Sequence, residues 1–244
     1  MILNQQWVEH LDRSDAELRE DKTHRLREPV SMILDLHVHT TLSGDAKPTA
    51  EEYAFRALAM QGEYRIDGFV ITEHRYWDYR RSRELDDLAG KTGLIVFQGV
   101  ELETDFGHIL IYGVTPEFLR KVDITARTKG LKAVETALEC GCFPIAAHPA
   151  RPMLGCGIGL KTLKGIRAIE ILNGGSSNAE NFLAETWMKE LDLKGIGGSD
   201  AHYISELGIC MTKFDGECDN ERDLVKLLSS GAYQAIHLDE ARRI

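Results

Sequence analysis

Seven short apolar runs punctuate the chain: "MILDLHV", "DGFVIT", "LIVFQGVEL", "HILIYGV", "FPIAAH", "AIEIL" and "KGIGGS". Several are apolar at nearly every position rather than at alternate ones. That pattern belongs to strands buried on both faces, as in a parallel sheet covered by helices. Helical stretches lie between the runs, and strands alternating with helices define an α/β architecture. "TAEEYAFRALAMQ" opens on a capping box, Thr49 with Glu52 three residues on, and "ITARTKGLKAVETALECG" stops at Gly141. "SNAENFLAETWMKEL" follows the sixth run. About seven such units in 244 residues predict a single TIM-like barrel rather than an open sheet. Residues 1–30 are charge-rich and run up to Pro29, with Trp7 and Leu11 at helical spacing. They are predicted to form a helical extension ahead of one domain over residues 31–244.

The runs matter because of what stands at their ends. In "ILDLHVHTTLSGD" (33–45), strand alternation puts Asp35, His37 and His39 on one face. Three polar groups on the inner face of a strand are costly unless something binds them. Hydrogen-bonded core histidines and metal ligands are the two readings. The other runs weigh towards metal: "ITEH" supplies His74, "GVELE" Glu101, "AAHPAR" His148, and "GGSDAH" Asp200 and His202. Asp45 adds a carboxylate from the first loop. His108 lies at the start of its run instead of the end, where an ordinary core histidine competes. His10, His24 and His237 fall outside the pattern and read as surface or structural. In a barrel of parallel strands the C-terminal ends share one mouth, where catalytic groups collect. Six histidines and three carboxylates exceed what one catalytic zinc requires, so two or three divalent ions are implied. Mixed nitrogen and oxygen donors suit zinc, manganese or iron and disfavour calcium and magnesium. Such a cationic site invites an anion such as phosphate.

Composition narrows the partners. The formal net charge of −10 makes long nucleic acid a poor partner, since that affinity rests on Lys and Arg neutralising phosphates. A small phosphorylated substrate on a local positive site remains compatible. No apolar stretch is long enough to cross a membrane, and the N-terminus lacks a basic start followed by an apolar core, so the cytoplasm is the expected compartment. Five cysteines, an odd number in a chain of this size, are expected as free buried thiols.

Taken together, "DLHVHT", "ITEH", "GVELET", "GHIL", "AAHP" and "GGSDAH" resemble, in order, the motifs of the PHP family of polymerase and histidinol phosphatase domains, over about residues 32 to 240. The resemblance implies a distorted seven-stranded (β/α)7 barrel with a trinuclear metal centre. It assigns one ion to His37, His39, Glu101 and Asp200, and makes Glu101 a bridge to a second ion on His108 and His148. The third ion falls to Asp45, His74 and His202. Two positions depart from the family pattern: Asp45 stands where histidine is frequent, and Glu73 stands before His74 where aspartate is usual. The implied chemistry is phosphate-ester hydrolysis by a metal-bridging hydroxide, with Asp200 and His202 as candidates for handling the leaving-group proton. Phosphodiester cleavage of short oligonucleotides and a non-catalytic metal-binding module are the alternatives.

Arg151, just after a ligand in "HPAR", is the candidate phosphate clamp, since a guanidinium binds phosphate bidentately. A surface ion pair is the competing reading. Arg75, Arg80, Arg81 and Arg83 form a basic loop after the second run; only Arg75 is close enough to a ligand to be a second substrate contact. The others read as a solvated face. "MLGCGIG" lacks the ending of a P-loop and reads as an edge of the pocket.

Overall fold

The computed structural model describes residues 31–243; the helical extension expected over residues 1–30 lies outside the described residues. The strands are β1 (Met32–Val38), β2 (Gly68–Ile71), β3 (Ile95–Gln98), β4 (Val100–Thr104), β5 (Gly107–Tyr112), β6 (Phe143–Ala146), β7 (Ala168–Asn173), β8 (Lys194–Gly198), β9 (Cys210–Phe214) and β10 (Tyr233–His237). The α-helices are α1 (Ala50–Met60), α2 (Tyr79–Thr92), α3 (Pro116–Lys121), α4 (Gly130–Glu139), α5 (Asn178–Glu190) and α6 (Glu221–Ser230).

The closed seven-stranded barrel expected from the sequence is not what these residues form. The strands divide between two mixed five-stranded sheets, ordered β10-β9-β1-β2-β3 and β4-β5-β6-β7-β8. Three local features account for the difference. First, "LIVFQGVEL" is two strands. The amide of Gly99 still donates to the Ile71 carbonyl at 2.7 Å, but Val100 already pairs with Ile111 of the other sheet. A Cβ on Gly99 would stand 2.9 Å from the Ile111 carbonyl oxygen, so the crossing needs glycine. Second, β5 runs antiparallel to both β4 and β6, because the chain reverses after Thr104 and re-enters at Gly107 with φ of 90°. Third, β9 and β10 were absent from the apolar runs. β9 carries Thr212 and Lys213, and β10 is largely exposed, so neither reads as a buried strand.

The two sheets meet without a continuous ladder. At one seam the Thr212 hydroxyl of β9 accepts from the Gly197 amide at 2.9 Å and donates to its carbonyl at 2.8 Å. Single parallel bridges link Val38 to Ala201 and His74 to Glu101. Both faces of β1 are covered, which is why it is apolar throughout its first half. Leu34 and Leu36 join Leu110, Tyr112, Ile145 and Ile196 in a core drawn from both sheets. Ile33 packs with Phe69, Ile71 and the α1 residues Tyr53 and Ala57. A separate core places Leu102 and Ile109 with Phe118 and Val134 of α3 and α4. The α1 capping box is present, with Glu52 donating its amide to Thr49 Oγ1 and returning a carboxylate to the Thr49 amide. The described cysteines are all free. No helix among the described residues is long and apolar enough to cross a membrane.

Alternation along β1 does not survive to its end. The register with β2 slips by one residue between Asp35 and Val38, so Ile33 and Val38, an odd and an even position, share the α1 side. Within the slipped segment the Leu36 carbonyl accepts the Tyr112 hydroxyl at 2.9 Å. A second slip interrupts β7 between Glu170 and Leu172. Both slips lie beside the site described next.

Candidate metal centre

The fold gathers His37, His39, Asp45, His74, Glu101, His108, His148, Asp200 and His202 around the buried carboxylate of Glu101. His37 and His39 follow the slip in β1. Asp35, grouped with them by simple alternation, stays apart: its carboxylate accepts the amides of Ser199 at 2.9 Å and Gly208 at 2.8 Å. His108 reaches the same place from a strand start because β5 is antiparallel, so its beginning lies at the end where β4 carries Glu101 and Glu103.

Four ligand atoms form the inner set. His37 Nε2 and His39 Nε2 are 3.0 Å apart, and Glu101 Oε2 lies 3.3 and 3.2 Å from them. Asp200 Oδ1 lies 3.5 and 3.3 Å from the same two nitrogens. The other carboxylate oxygen of Glu101, Oε1, is 2.9 Å from His108 Nδ1 and 3.1 Å from His148 Nε2. Asp45 Oδ2 is 3.7 Å from His74 Nε2 and 3.5 Å from His202 Nε2. His74 stands between sets, since its Nδ1 is 3.2 Å from Glu101 Oε2.

This geometry fits divalent transition ions. Donors bound at 2.0–2.1 Å to one ion stand roughly 3.0–3.5 Å from one another, which is the spacing of the inner four. Buried Glu101 Oε2 and His74 Nδ1 have no hydrogen-bond partner in the protein, an arrangement that is costly unless a cation takes them up. Three outward ring nitrogens are occupied, His37 Nδ1 by Glu170 Oε1 at 3.1 Å, His39 Nδ1 by Ser43 Oγ at 3.0 Å, and His202 Nδ1 by the Asp200 carbonyl at 2.8 Å, while that of His148 has no partner. Each of the three contacts leaves Nε2 to face inward.

Electrostatics follow from this crowding. Burial disfavours a charged His37, but the carboxylates of Glu170, Asp200 and Glu101 outweigh it and raise its pKa well above the usual histidine value. Burial is likewise outweighed at His39, which Asp200 and Glu101 push up to about 9. Burial alone would raise Asp200 and Glu101; the histidines hold both well below the usual carboxylate range. Protons therefore occupy His37 and His39 when no cation does, and an ion entering the site displaces them. An Asp200 held ionised suits a ligand better than a proton donor.

Backbone strain collects here. His148 at φ 26°, Asp200 at φ 55° and Arg75 at φ 55° are three of the five described non-glycine residues with positive φ. The first two are pinned, His148 by its amide on Glu170 Oε2 at 2.8 Å and Asp200 by its amide on the His37 carbonyl at 2.7 Å.

The cluster floors an open cavity of about 660 Å³, whose walls include Leu42, Tyr76, Leu154, Arg75 and Arg151. Arg151 donates from Nη1 to Asp200 Oδ2 at 2.8 Å and from Nη2 to Asn173 Oδ1 at 2.5 Å. Arg75 sits at the rim, paired with Glu103 at 2.6 Å. Leu154, from the glycine-containing loop, borders the cavity. Arg80, Arg81 and Arg83 lie on α2, not in a loop, and Arg81 is not solvated: it is 7% exposed and pairs with buried Glu73 at 3.2 Å. Sequence reasoning missed Glu170, Asn173 and Ser43. Glu170 left a signal, a lone acid inside the apolar run "AIEIL", which a buried strand cannot hold without partners. Ser43 and Asn173 left none.

Comparison with known proteins bears on the same segments. A sequence-family model described as PHP-associated matches residues 178–233. No curated protein sequence matches the chain. Among solved structures, PsfC from Pseudomonas syringae superposes with a TM-score of 0.68 at 21% identity, covering 86% of this chain and 93% of that one. A two-domain Bacteroides vulgatus protein containing a PHP-like metal-dependent phosphoesterase gives 0.65 at 19%, covering 86% of this chain and 66% of that one. The lesion-specific endonuclease PfuEndoQ from Pyrococcus furiosus gives 0.63 at 17%, covering 84% and 58%. This chain thus spans about two thirds of the Bacteroides protein and less of the endonuclease. The shared fold and the matched C-terminal segment make the chain similar to PHP-like proteins over the same stretch that carries the histidine and carboxylate cluster.

Proposed function

We propose that the protein is a metal-dependent phosphoesterase that hydrolyses a monoester of a small phosphorylated metabolite or nucleotide. The observation that carries this reading is Glu101, whose two oxygens face two histidine sets at the floor of an open cavity. His37, His39, Glu101 and Asp200 would hold one ion, Glu101, His108 and His148 a second, and Asp45, His74 and His202 a third. Zinc, manganese and iron all suit these donors. Such ions supply Lewis-acid polarisation of phosphoryl oxygens and a nucleophile near neutral pH. The chain's own residues orient the substrate. Arg151 presents its guanidinium from the wall, already aligned by Asp200 and Asn173, and Arg75 adds positive charge at the rim. Of the two candidates for the leaving-group proton, His202 can serve only while its Nε2 is not taken by the third ion, since its Nδ1 is held by the Asp200 carbonyl.

Likeness to an endonuclease favours diester cleavage as a second reading. Against long strands stand the net charge of −10 and the pairing of both mouth arginines with carboxylates. Protein loaded in turn with zinc, manganese and iron, then assayed on p-nitrophenyl phosphate, bis-p-nitrophenyl phosphate, nucleotides and sugar phosphates, tests the proposal. Monoester turnover that chelator abolishes is expected. Diester turnover alone would shift the reading, and no turnover with any metal would defeat it.

Arg151→Ala should lower kcat/KM about tenfold to a hundredfold, the loss of one charge-assisted bond. Arg151→Lys should recover only part of it, because lysine lacks the planar fork. Since Arg151 also grips Asp200, metal content must be measured alongside. Full metal with lost efficiency supports the clamp; lost metal would mean that Arg151 acts only through Asp200.

A further inference from the structure

Resting on the metal-dependent reading above, we propose that Ser43 is a positioning residue that fixes the ring tautomer of His39 and ties His39 to His74. The case is one of valence. A serine hydroxyl has one proton to donate and two lone pairs to accept. Ser43 Oγ meets three partners: a Glu73 carboxylate oxygen at 2.5 Å, the His74 backbone amide at 3.0 Å and His39 Nδ1 at 3.0 Å. The amide only donates. Glu73 only accepts here, because the Thr40 amide at 3.0 Å and the Thr40 hydroxyl donate to it and the Arg81 cation stands 3.2 Å away. The single Ser43 proton therefore goes to Glu73. His39 must then donate from Nδ1 into the remaining lone pair, which makes Nε2, aimed at Glu101 and Asp200, the nitrogen that is freed for an ion.

The arrangement is buttressed from outside. Arg81 reaches in from α2 and also donates to Thr40 Oγ1 at 2.9 Å, so the guanidinium holds Glu73 and the start of the Ser43 turn together. The turn covers Thr41–Ser43 and closes at Gly44, at φ 86°. One hydroxyl thus sets a ring in the inner ligand set and the backbone of a histidine in the outer one. Outer partners of this kind are typically worth tenfold to a hundredfold in metal affinity.

The test uses metal-free full-length protein titrated with zinc against a chromophoric chelator, for the wild type, Ser43→Ala and Ser43→Thr. Ser43→Ala should bind zinc about tenfold to a hundredfold more weakly. Ser43→Thr keeps the hydroxyl at a half-buried position and should stay within a few fold. Thermal melting of the metal-free forms should agree within a few degrees, which a merely structural role would not give. In zinc-loaded wild type, nitrogen-15 NMR of the rings should show His39 protonated at Nδ1. Wild-type zinc affinity in Ser43→Ala would overturn the proposal, as would a His39 ring protonated at Nε2 or a Ser43→Thr variant as weak as alanine. A wild type that takes up no zinc would instead remove the metal-dependent reading itself.

Discussion

Glu101→Gln should leave the protein folded while removing most of its metal and reducing hydrolysis by about a hundredfold to a thousandfold or more, the scale of losing a principal electrostatic element of an active site. The reason is that no orientation of an amide satisfies both sides. One oxygen of Glu101 faces His37, His39 and His74; the other faces His108 and His148. Glutamine keeps an acceptor on one side only and turns a donor towards nitrogens that must themselves bind. The fold should persist, because the three apolar cores draw nothing from the mouth. Elemental analysis, circular dichroism and phosphatase assays on the same sample check all three parts. Full metal content with near wild-type turnover would show that Glu101 does not join the two sets.

The second large effect concerns stability. Arg81→Ala strips the cation from a buried pair and leaves Glu73, fully buried, facing an empty space. Breaking such a pair from one side typically costs about 3–5 kcal/mol. For a domain of this size that lowers the melting temperature by roughly 6–20 °C. Arg80, the adjacent residue on α2, is exposed, and Arg80→Ala should change melting by no more than a degree or two. The two variants differ by one step along a helix and by nearly everything in environment. Equal, small shifts for both would mean that Glu73 is adequately held by Thr40 and Ser43 alone.

The contrast also shows where sequence reasoning stops. Strand-end position singles out seven of the nine ligand-type residues, because a polar group closing an apolar run is a local anomaly; Asp45 and His108 were added from a loop and a strand start. Position along the chain cannot say which arginine of "RRSR" turns inward, since that depends on how the helix folds back over the carboxylate of Glu73 just past the end of β2. The barrel expectation rested on assuming that every run was one parallel strand. Gly99 divides one run between two sheets, and the short turn at Asp105 reverses β5; both are decided by tertiary pairing rather than by composition. The same assumption made His108 look misplaced, and the antiparallel strand explains its position. Glu170 and Ser43 act through other residues' rings; the apolar run around Glu170 hints that it has partners, and nothing beside Ser43 announces its role.

The slip in β1 divides one strand into two independent stretches of information. Up to Leu36 the apolar residues answer to shape, how much volume the two cores must fill, with Asp35 the exception that holds two backbone amides. Beyond it His37 and His39 answer to charge and lone pairs. Because the slip is half a period of the pleat, parity is reset between the two stretches. A change of packing upstream is thus not obliged to rotate the histidines, and the chemistry downstream places no demand on which apolar side chain fills which layer. The core of such a chain is free to drift through many apolar combinations while its mouth stays fixed. Identities of 17–21% spread over more than four fifths of this chain, as with the solved structures above, are compatible with such a division of labour.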